Sequence, residues 1–257
     1  MNETRLVLLT AIFSFATIFI FSCGLTGEVG GEVSSSGGGD NPSSSSVGGS
    51  SVGCPVSAVL EGSVTCGGQT YRTVTIDEQV WFAENLNYAG EDAGNPIGTC
   101  YGSDDTADCV TYGRLYNWST AMGLSDDCNS SNCSSQIQSK HRGVCPSGWH
   151  IPTNEEWDIL INYVGDSYVA GTKLKATSGW GGYDGTDDYG FSALPGGIGN
   201  YSSNLNFTDA GCCGYWWTTS ESWADYAIER YIVWDSGVVG INTWRKSTQF
   251  SVRCLKD

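Results

Sequence analysis

CPSGWHIPTNEEW, Cys145 to Trp157, decides how the rest of the chain is read. It holds a cysteine, one of the two histidines and a pair of glutamates, a density that suggests either a catalytic site or the start of a helix. Its second half follows local rules. Thr153 and Glu156 stand in the S/T-x-x-E relation of a capping box, in which the threonine oxygen accepts from the Glu156 amide and the glutamate reaches back to the Thr153 amide. Trp157, Leu160, Ile161 and Val164 then recur at i, i+3, i+4 and i+7, which predicts one buried stripe, and Gly165 is placed to end the helix. Glu155 and Glu156 in the first turn also suit the positive end of the helix dipole. A helix start therefore explains the glutamates before any chemistry is invoked.

Working outward, Ser178 to Asn204 has neither periodicity nor long apolar runs and reads as a long loop region with short extended pieces. Strands return in GYWWTTSE, in YAIERYIVW and VVGINTW around the Asp235-Ser236-Gly237 break, and in QFSVRCL. On the amino-terminal side, Gly67 to Tyr88 alternates β-branched and aromatic residues about a break at Asp77-Glu78-Gln79, a β-hairpin pattern. Residues 89–109 read as a loop. Leu115, Trp118 and Met122 in YGRLYNWSTAMG predict a second helix ended by Gly123, and DDCNSSNCSSQ reads as loop. The sum is one α+β domain over residues 54–257, with two helices, small antiparallel sheets and long loops.

The chain ahead of that domain has a different character. Residues 6–21 form an uncharged apolar run, short for a membrane span, ending at Ser22-Cys23, so residues 1–22 read as a signal peptide. Ile20-Phe21-Ser22-Cys23-Gly24 resembles a bacterial lipobox, which makes Cys23 the expected lipid attachment point and the membrane a partner. Plain secretion and an uncleaved anchor are the alternatives. Residues 23–53, rich in Gly and Ser, bury too little apolar surface to order themselves and are read as a flexible tether of about 30 Å end to end. The chain is thus expected at a bacterial outer membrane or cell surface. Twelve Lys and Arg against 28 Asp and Glu give a net charge of −16. That charge repels phosphate backbones and excludes nucleic acid as a partner.

Of the eleven cysteines, setting Cys23 aside leaves Cys54, Cys66, Cys100, Cys109, Cys128, Cys133, Cys145, Cys212, Cys213 and Cys254, an even number that allows five disulfides. An exported chain meets an oxidising compartment, and the close spacings Cys54/Cys66, Cys100/Cys109 and Cys128/Cys133 read as stapled loops. No CxxC pair occurs, so neither a structural zinc site nor a thioredoxin-like motif is indicated.

GQTYRTVTI with VWFAENLNY, YGRLYNW, VCPSGWHIPTNEEW, GFSALPGG, YWWTTSE and SVRC occur in that order. Together they resemble the Fibrobacter succinogenes major paralogous (FISUMP) domain over roughly residues 67–257. The resemblance implies an exported or surface-attached bacterial protein, one domain behind a signal and linker, and no established activity. It also implies a fold similar to the C-type-lectin-like group, which includes formylglycine-generating-enzyme-like proteins. In that group a cysteine near a helix pairs with one in the last strand, here Cys145 with Cys254. A loop of that length contributes about 4 to 5 kcal/mol in the loop-closure entropy account. Function does not follow from fold.

The chemical candidates each have a plainer reading. His150 has no nucleophile near it in sequence and is expected to bond backbone, while His141, between Lys140 and Arg142, is expected to be solvated. Cys212-Cys213 is read as staple material before redox pair. Ser220 lacks the G-x-S-x-G elbow of a hydrolase. Asp184, Asp187 and Asp188 in YDGTDDYG read first as solvated turns, with Ca²⁺ the alternative; no other cofactor is expected, and neither EPN nor QPD, the paired-carbonyl motifs of calcium lectins, is present. Trp180, Tyr183, Tyr201 and Trp223 fall in Gly-rich or polar segments, where flat rings could stack on sugars or pack beneath loops. The leading expectation is a surface-tethered, non-enzymatic binding or adhesion module for plant-cell-wall polysaccharide, its binding face between Ser178 and Ser222. A structural envelope protein that binds another surface protein is the alternative, and a formylglycine-type enzyme with a reactive thiol comes third.

Overall fold

The computed structural model describes residues 53–102, 106–199 and 206–257. The proposed signal peptide, Cys23, all but the last residue of the linker, and Tyr201 lie outside the described residues.

Two successive hairpins open the domain. β1 (Val56–Leu60) pairs antiparallel with β2 (Ser63–Cys66), and β3 (Gln69–Ile76) with β4 (Gln79–Phe82). The second hairpin turns at Asp77-Glu78, where Asp77 takes a φ of 54°, a region that short polar Asp tolerates better than most residues. The first hairpin was not expected from the sequence. Most of β1 faces solvent and carries little pattern, and the Cys54–Cys66 disulfide ties its base. β5 (Trp149–His150) and β11 (Leu255–Lys256) complete a six-stranded sheet in the order β1-β2-β3-β4-β11-β5, so the end of the chain lies between its beginning and its middle. Cys145–Cys254 locks that arrangement, and Cys100–Cys109 and Cys128–Cys133 close two short loops.

Only part of the helical expectation survives. α1 (Thr106–Tyr112) is an unforeseen helix. α2 (Trp118–Met122) is a single turn: Asn117 caps it at the Thr120 amide and Gly123, at φ 66°, ends it. Leu115 precedes α2 in an extended bridge to Thr99, because the chain turns at Gly113 (φ 77°) before the helix can start. α3 (Asn154–Val164) carries both bonds of the capping box and buries Trp157, Leu160, Ile161 and Val164 as the spacing demands. The short α4 (Ala170–Leu174), also unforeseen, follows.

After β6 (Gly196–Ile198) and β7 (Thr208–Ala210), which pair with each other, come the long strands β8 (Cys213–Trp223), β9 (Tyr226–Val233) and β10 (Val239–Arg245) in the order β10-β9-β8. One face of this sheet lies on α3, with Trp216, Ile232 and Val239 among Trp157, Leu160 and Trp180 in a shared core. The other face packs Trp217 and Phe250 toward Phe82, Trp118 and Trp149 in a second core. QFSVRCL is a regular strand only at its end. Its earlier residues form single bridges, Phe250 with Tyr116 and Ser251 with Trp216, that join the two sheets.

An irregularity in β8 between Trp217 and Glu221 turns Glu221 toward a buried cation. Lys246, fully buried, donates from Nζ to Glu221 Oε1, to the Ser131 carbonyl at 3.0 Å and to the Ala224 carbonyl at 2.8 Å, with its ammonium 4.5 Å from the centre of the Trp118 ring. Glu221 also accepts from the Cys133 amide. The pair thus fixes the β8–β9 turn against the Cys128–Cys133 loop. Removing one member of a buried pair strands the other, so Lys246→Met is expected to cost about 3–5 kcal/mol in urea unfolding. Adding Glu221→Gln to that variant is expected to cost less than the two single changes summed, and strict additivity would show that the pair is not coupled.

Candidate functional site

The long loop region is largely built inward. Trp180, a candidate for stacking on sugars or for packing beneath loops, takes the second role and is completely buried: its Nε1–H donates to the Ala193 carbonyl at 2.9 Å and the Lys175 ammonium lies 5.3 Å from its ring centre. The local sequence looked polar, but burial here comes from residues far along the chain. Asp184 accepts from the Trp180 amide at 2.9 Å, and Asp187 accepts from the Ser192 amide at 2.7 Å and hydroxyl at 2.6 Å. Both carboxylates therefore hold loop backbone in place. Asp188 is exposed, and its amide donates to the Lys173 carbonyl. No group of three or more His, Cys, Asp or Glu that could hold a metal ion occurs among the described residues. Tyr183 is exposed at its rim, with its ring edge-on to Trp234 at 4.6 Å.

Trp223 differs from all of these. It is 71% exposed and sits opposite Tyr226 in the register, across the tight turn that Lys246 fixes. Trp223, Asp225, Tyr226 and Thr243 line an open groove of about 400 Å³. At its edge the Arg245 guanidinium lies 5.4 Å from the Tyr226 ring centre and 3.3 Å from the Asp225 carboxylate. The groove combines flat aromatic surface with a carboxylate, a hydroxyl and a guanidinium. That is the chemistry of polyhydroxylated ligands, whose C–H faces stack on rings while their hydroxyls bond to polar groups. Of this set only Trp223 was singled out from the sequence. Tyr226 and Thr243 were hidden as ordinary members of alternating strands.

The histidines depart from expectation. His150 is buried between two carboxylates rather than backbone, with Nε2 3.0 Å from Glu156 Oε1 and Nδ1 2.8 Å from Asp257 Oδ1. Burial opposes its charge, but the two carboxylates win and raise its pKa. Glu156 serves the cap with one oxygen and His150 with the other. His141 is buried, not solvated: the Gln138 amide donates to Nδ1 at 3.3 Å, leaving Nε2–H to donate to the Met122 carbonyl at 2.8 Å. Ser220 Oγ accepts from the Asn154 amide at the start of α3.

Glu229 was not among the residues singled out from the sequence. It is fully buried on the β9 face that carries Tyr231 and is paired in register with Trp217. Among the described residues neither carboxylate oxygen makes a hydrogen bond of regular geometry, although the Trp244 indole lies near enough to act on it. Burial pushes its carboxyl up to about 8 from the ordinary 4.5, against the opposite pull of the Arg230 guanidinium and the Trp244 indole. A charged residue in a strand whose two faces are both covered is the only signal that could have found it. Because the folded pKa lies above the unfolded one, the native state binds the extra proton between the two values. The stability tied to Glu229 is therefore complete below about 4.5 and lost as pH rises to about 8. Glu229→Gln is expected to remove that loss. Its advantage over the parent in urea unfolding grows across this window to a few kcal/mol, on the order of the shift. A difference that stays constant with pH would show that Glu229 titrates like an exposed acid.

The family model of the Fibrobacter succinogenes major domain matches residues 74–256. No curated protein and no solved structure matches the chain. The match begins within β3 and runs through β11, so it takes in most of the two cores, the Cys145–Cys254 disulfide and the Trp223–Tyr226 groove. The chain belongs to the Fibrobacter succinogenes major domain family.

Proposed function

We propose that this domain is a non-enzymatic binding module for plant-cell-wall polysaccharide, held at the bacterial outer surface by a lipid on Cys23, with the Trp223–Tyr226 groove as its ligand platform. The observation that carries the reading is the exposed Trp223 beside Tyr226 on a turn fixed from below by a buried ion pair. A ring carried on a backbone turn that is already fixed costs less ordering on stacking than one on a mobile loop, which helps a shallow surface obtain affinity. The absence of catalysis is supported by the two histidines, each with both ring nitrogens engaged, and by Ser220, whose oxygen is occupied by an amide. The anchor is supported by the apolar run of residues 6–21, the lipobox-like end and the Gly/Ser tether. A lectin-like relation of the fold is supported by the Cys145–Cys254 bond between the start of the α3 region and the last strand.

The second reading, a surface-protein partner, has its own observation. Ile159, Tyr163 and Tyr168 lie exposed on α3 and the turn that follows it.

Affinity electrophoresis in cellulose-derived, xylan and pectin gels tests the first reading. The wild-type domain is expected to be retarded in the cellulose-derived or xylan gel, with acidic pectin as the contrast, and Trp223→Ala is expected to weaken binding about thirtyfold, the effect of about 2 kcal/mol at a hot-spot tryptophan. Unchanged retardation of Trp223→Ala, or no retardation of the wild type in any of the gels, would remove the groove from the function.

A further inference from the structure

Eight of the ten cysteines in residues 54–257 form the four disulfides. Cys212 and Cys213 are buried side by side, with Sγ atoms 3.0 Å apart. This proximity is not an automatic result of adjacency. Neighbours in a regular strand send their side chains to opposite faces, which would keep the sulfurs apart. Here a turn intervenes before β8. The Cys212 amide donates to the Asp209 carbonyl at 3.2 Å, and the Gly211 amide donates to the Pro195 carbonyl at 2.9 Å. Asp209 and Gly211 take positive φ values of 71° and 79°. Cys212 therefore lies outside the strand that Cys213 begins, and the two sulfurs converge.

At that separation the sulfurs are unbonded, the bond length being about 2.05 Å, and one thiol can donate to the other. We propose that Cys212 and Cys213 form a reversible redox pair, closed to a vicinal disulfide by thiol–disulfide exchange. One thiolate attacks a sulfur of a disulfide RSSR, of low molecular weight or on a partner protein, forming a mixed disulfide and releasing RS⁻. The second thiolate then displaces the other RS⁻ and closes the ring. The pair loses two electrons and two protons, and RSSR becomes two RSH. Cα atoms of adjacent residues are held about 3.8 Å apart by a trans peptide, below the usual disulfide span of about 4.4–6.8 Å. The ring is therefore strained and easier to reduce than the four disulfides between non-adjacent cysteines.

The pair is also placed so that its state is felt elsewhere. The Cys212 carbonyl accepts from the Trp234 amide at 2.7 Å, the Trp234 ring meets Tyr183 at 4.6 Å, and the Trp234 carbonyl accepts from Lys175 Nζ at 2.8 Å. Twisting of the Cys212–Cys213 peptide on ring closure is passed to the YDGTDDYG loop by this route.

Peptide mapping of the full-length protein tests the proposal, after purification without reductant and exposure to excess oxidised glutathione at neutral pH. The peptide holding Cys212 and Cys213 is expected to resist alkylation and to be lighter by two hydrogens than its dithiol form. Graded reduction with a phosphine is expected to open this pair at about tenfold less reductant than the other four bonds need, a difference of about 30 mV. Hydrogen exchange at the Trp234 amide should change in the same step. Two alkylated thiols at these positions after the glutathione treatment, or either cysteine linked to a different one, would overturn the proposal. Cys213→Ser provides the control: its Cys212 is expected to be alkylated or to carry glutathione, while the four other disulfides remain.

Discussion

The guanidinium of Arg253 is the constraint around which the two sheets are arranged. It is fully buried, and all its hydrogen bonds go to neutral oxygens: Asn85 Oδ1, and the carbonyls of Phe82, Phe191 and Ser192. A buried cation without a carboxylate in contact is tolerable only when its N–H donors find acceptors and its plane finds a face, and here the Phe191 ring lies 4.5 Å away. Burial still pulls its pKa downward. Asn85 is shared: its Oδ1 also accepts from Trp216 Nε1 at 2.8 Å, and its amide donates to the Tyr112 carbonyl. One guanidinium thus links the end of β4, the loop after Tyr189, and β8. The next residue, Cys254, is bonded to Cys145. Lysine could not replace this arrangement, since a point charge lacks the fork that reaches carbonyls on both sides.

This explains why QFSVRCL reads as a strand and does not behave as one. Its alternation marks only one of two covered faces: Phe250, Val252 and Cys254 are buried in one core, and Ser251, Arg253 and Leu255 are buried as well. Its backbone, however, gives single bonds to several partners, including Leu86 N–H to the Val252 carbonyl and Ser251 N–H to the Tyr215 carbonyl. A segment that must bridge two sheets cannot keep a ladder with either. The pattern revealed the apolar face and was silent on the burial of Ser251 and Arg253 and on where the amides go.

The same division runs through the rest of the chain. The capping box, the α3 stripe, the Asp77 turn and the pairing of the last long strands depend on residues within a few positions of each other, and the sequence displays them. Trp180 and the two histidines depend on distant partners. His150 meets Asp257, which lies 107 positions away, and Trp180 is buried in a core that it shares with Trp81 and Ile232. Gly-rich surroundings made Trp180 look exposed, yet the glycines let the chain fold back over it: Gly181 and Gly182 take φ values of 63° and 97°. Trp223 shows the opposite case. It is part of a strand, and it stays exposed because the strand runs past the helix that covers its other end.

Electrostatics limits what such a platform can hold. The whole chain carries a net charge of −16, so an acidic polymer is repelled before it reaches the surface, out to about a Debye length of 8–10 Å in physiological salt. At the groove itself the two charged groups, Asp225 and Arg245, face each other at 3.3 Å and largely cancel. The local field is weak while the surrounding field is negative. A ligand that binds by ring stacking and hydroxyl bonding is indifferent to both, whereas a uronic-acid polymer would have to overcome the second with little help from the first. If the groove serves as proposed, neutral glycans are the class it suits, and the buried Lys246 contributes by keeping the Trp223–Tyr226 turn rigid rather than by attracting the ligand.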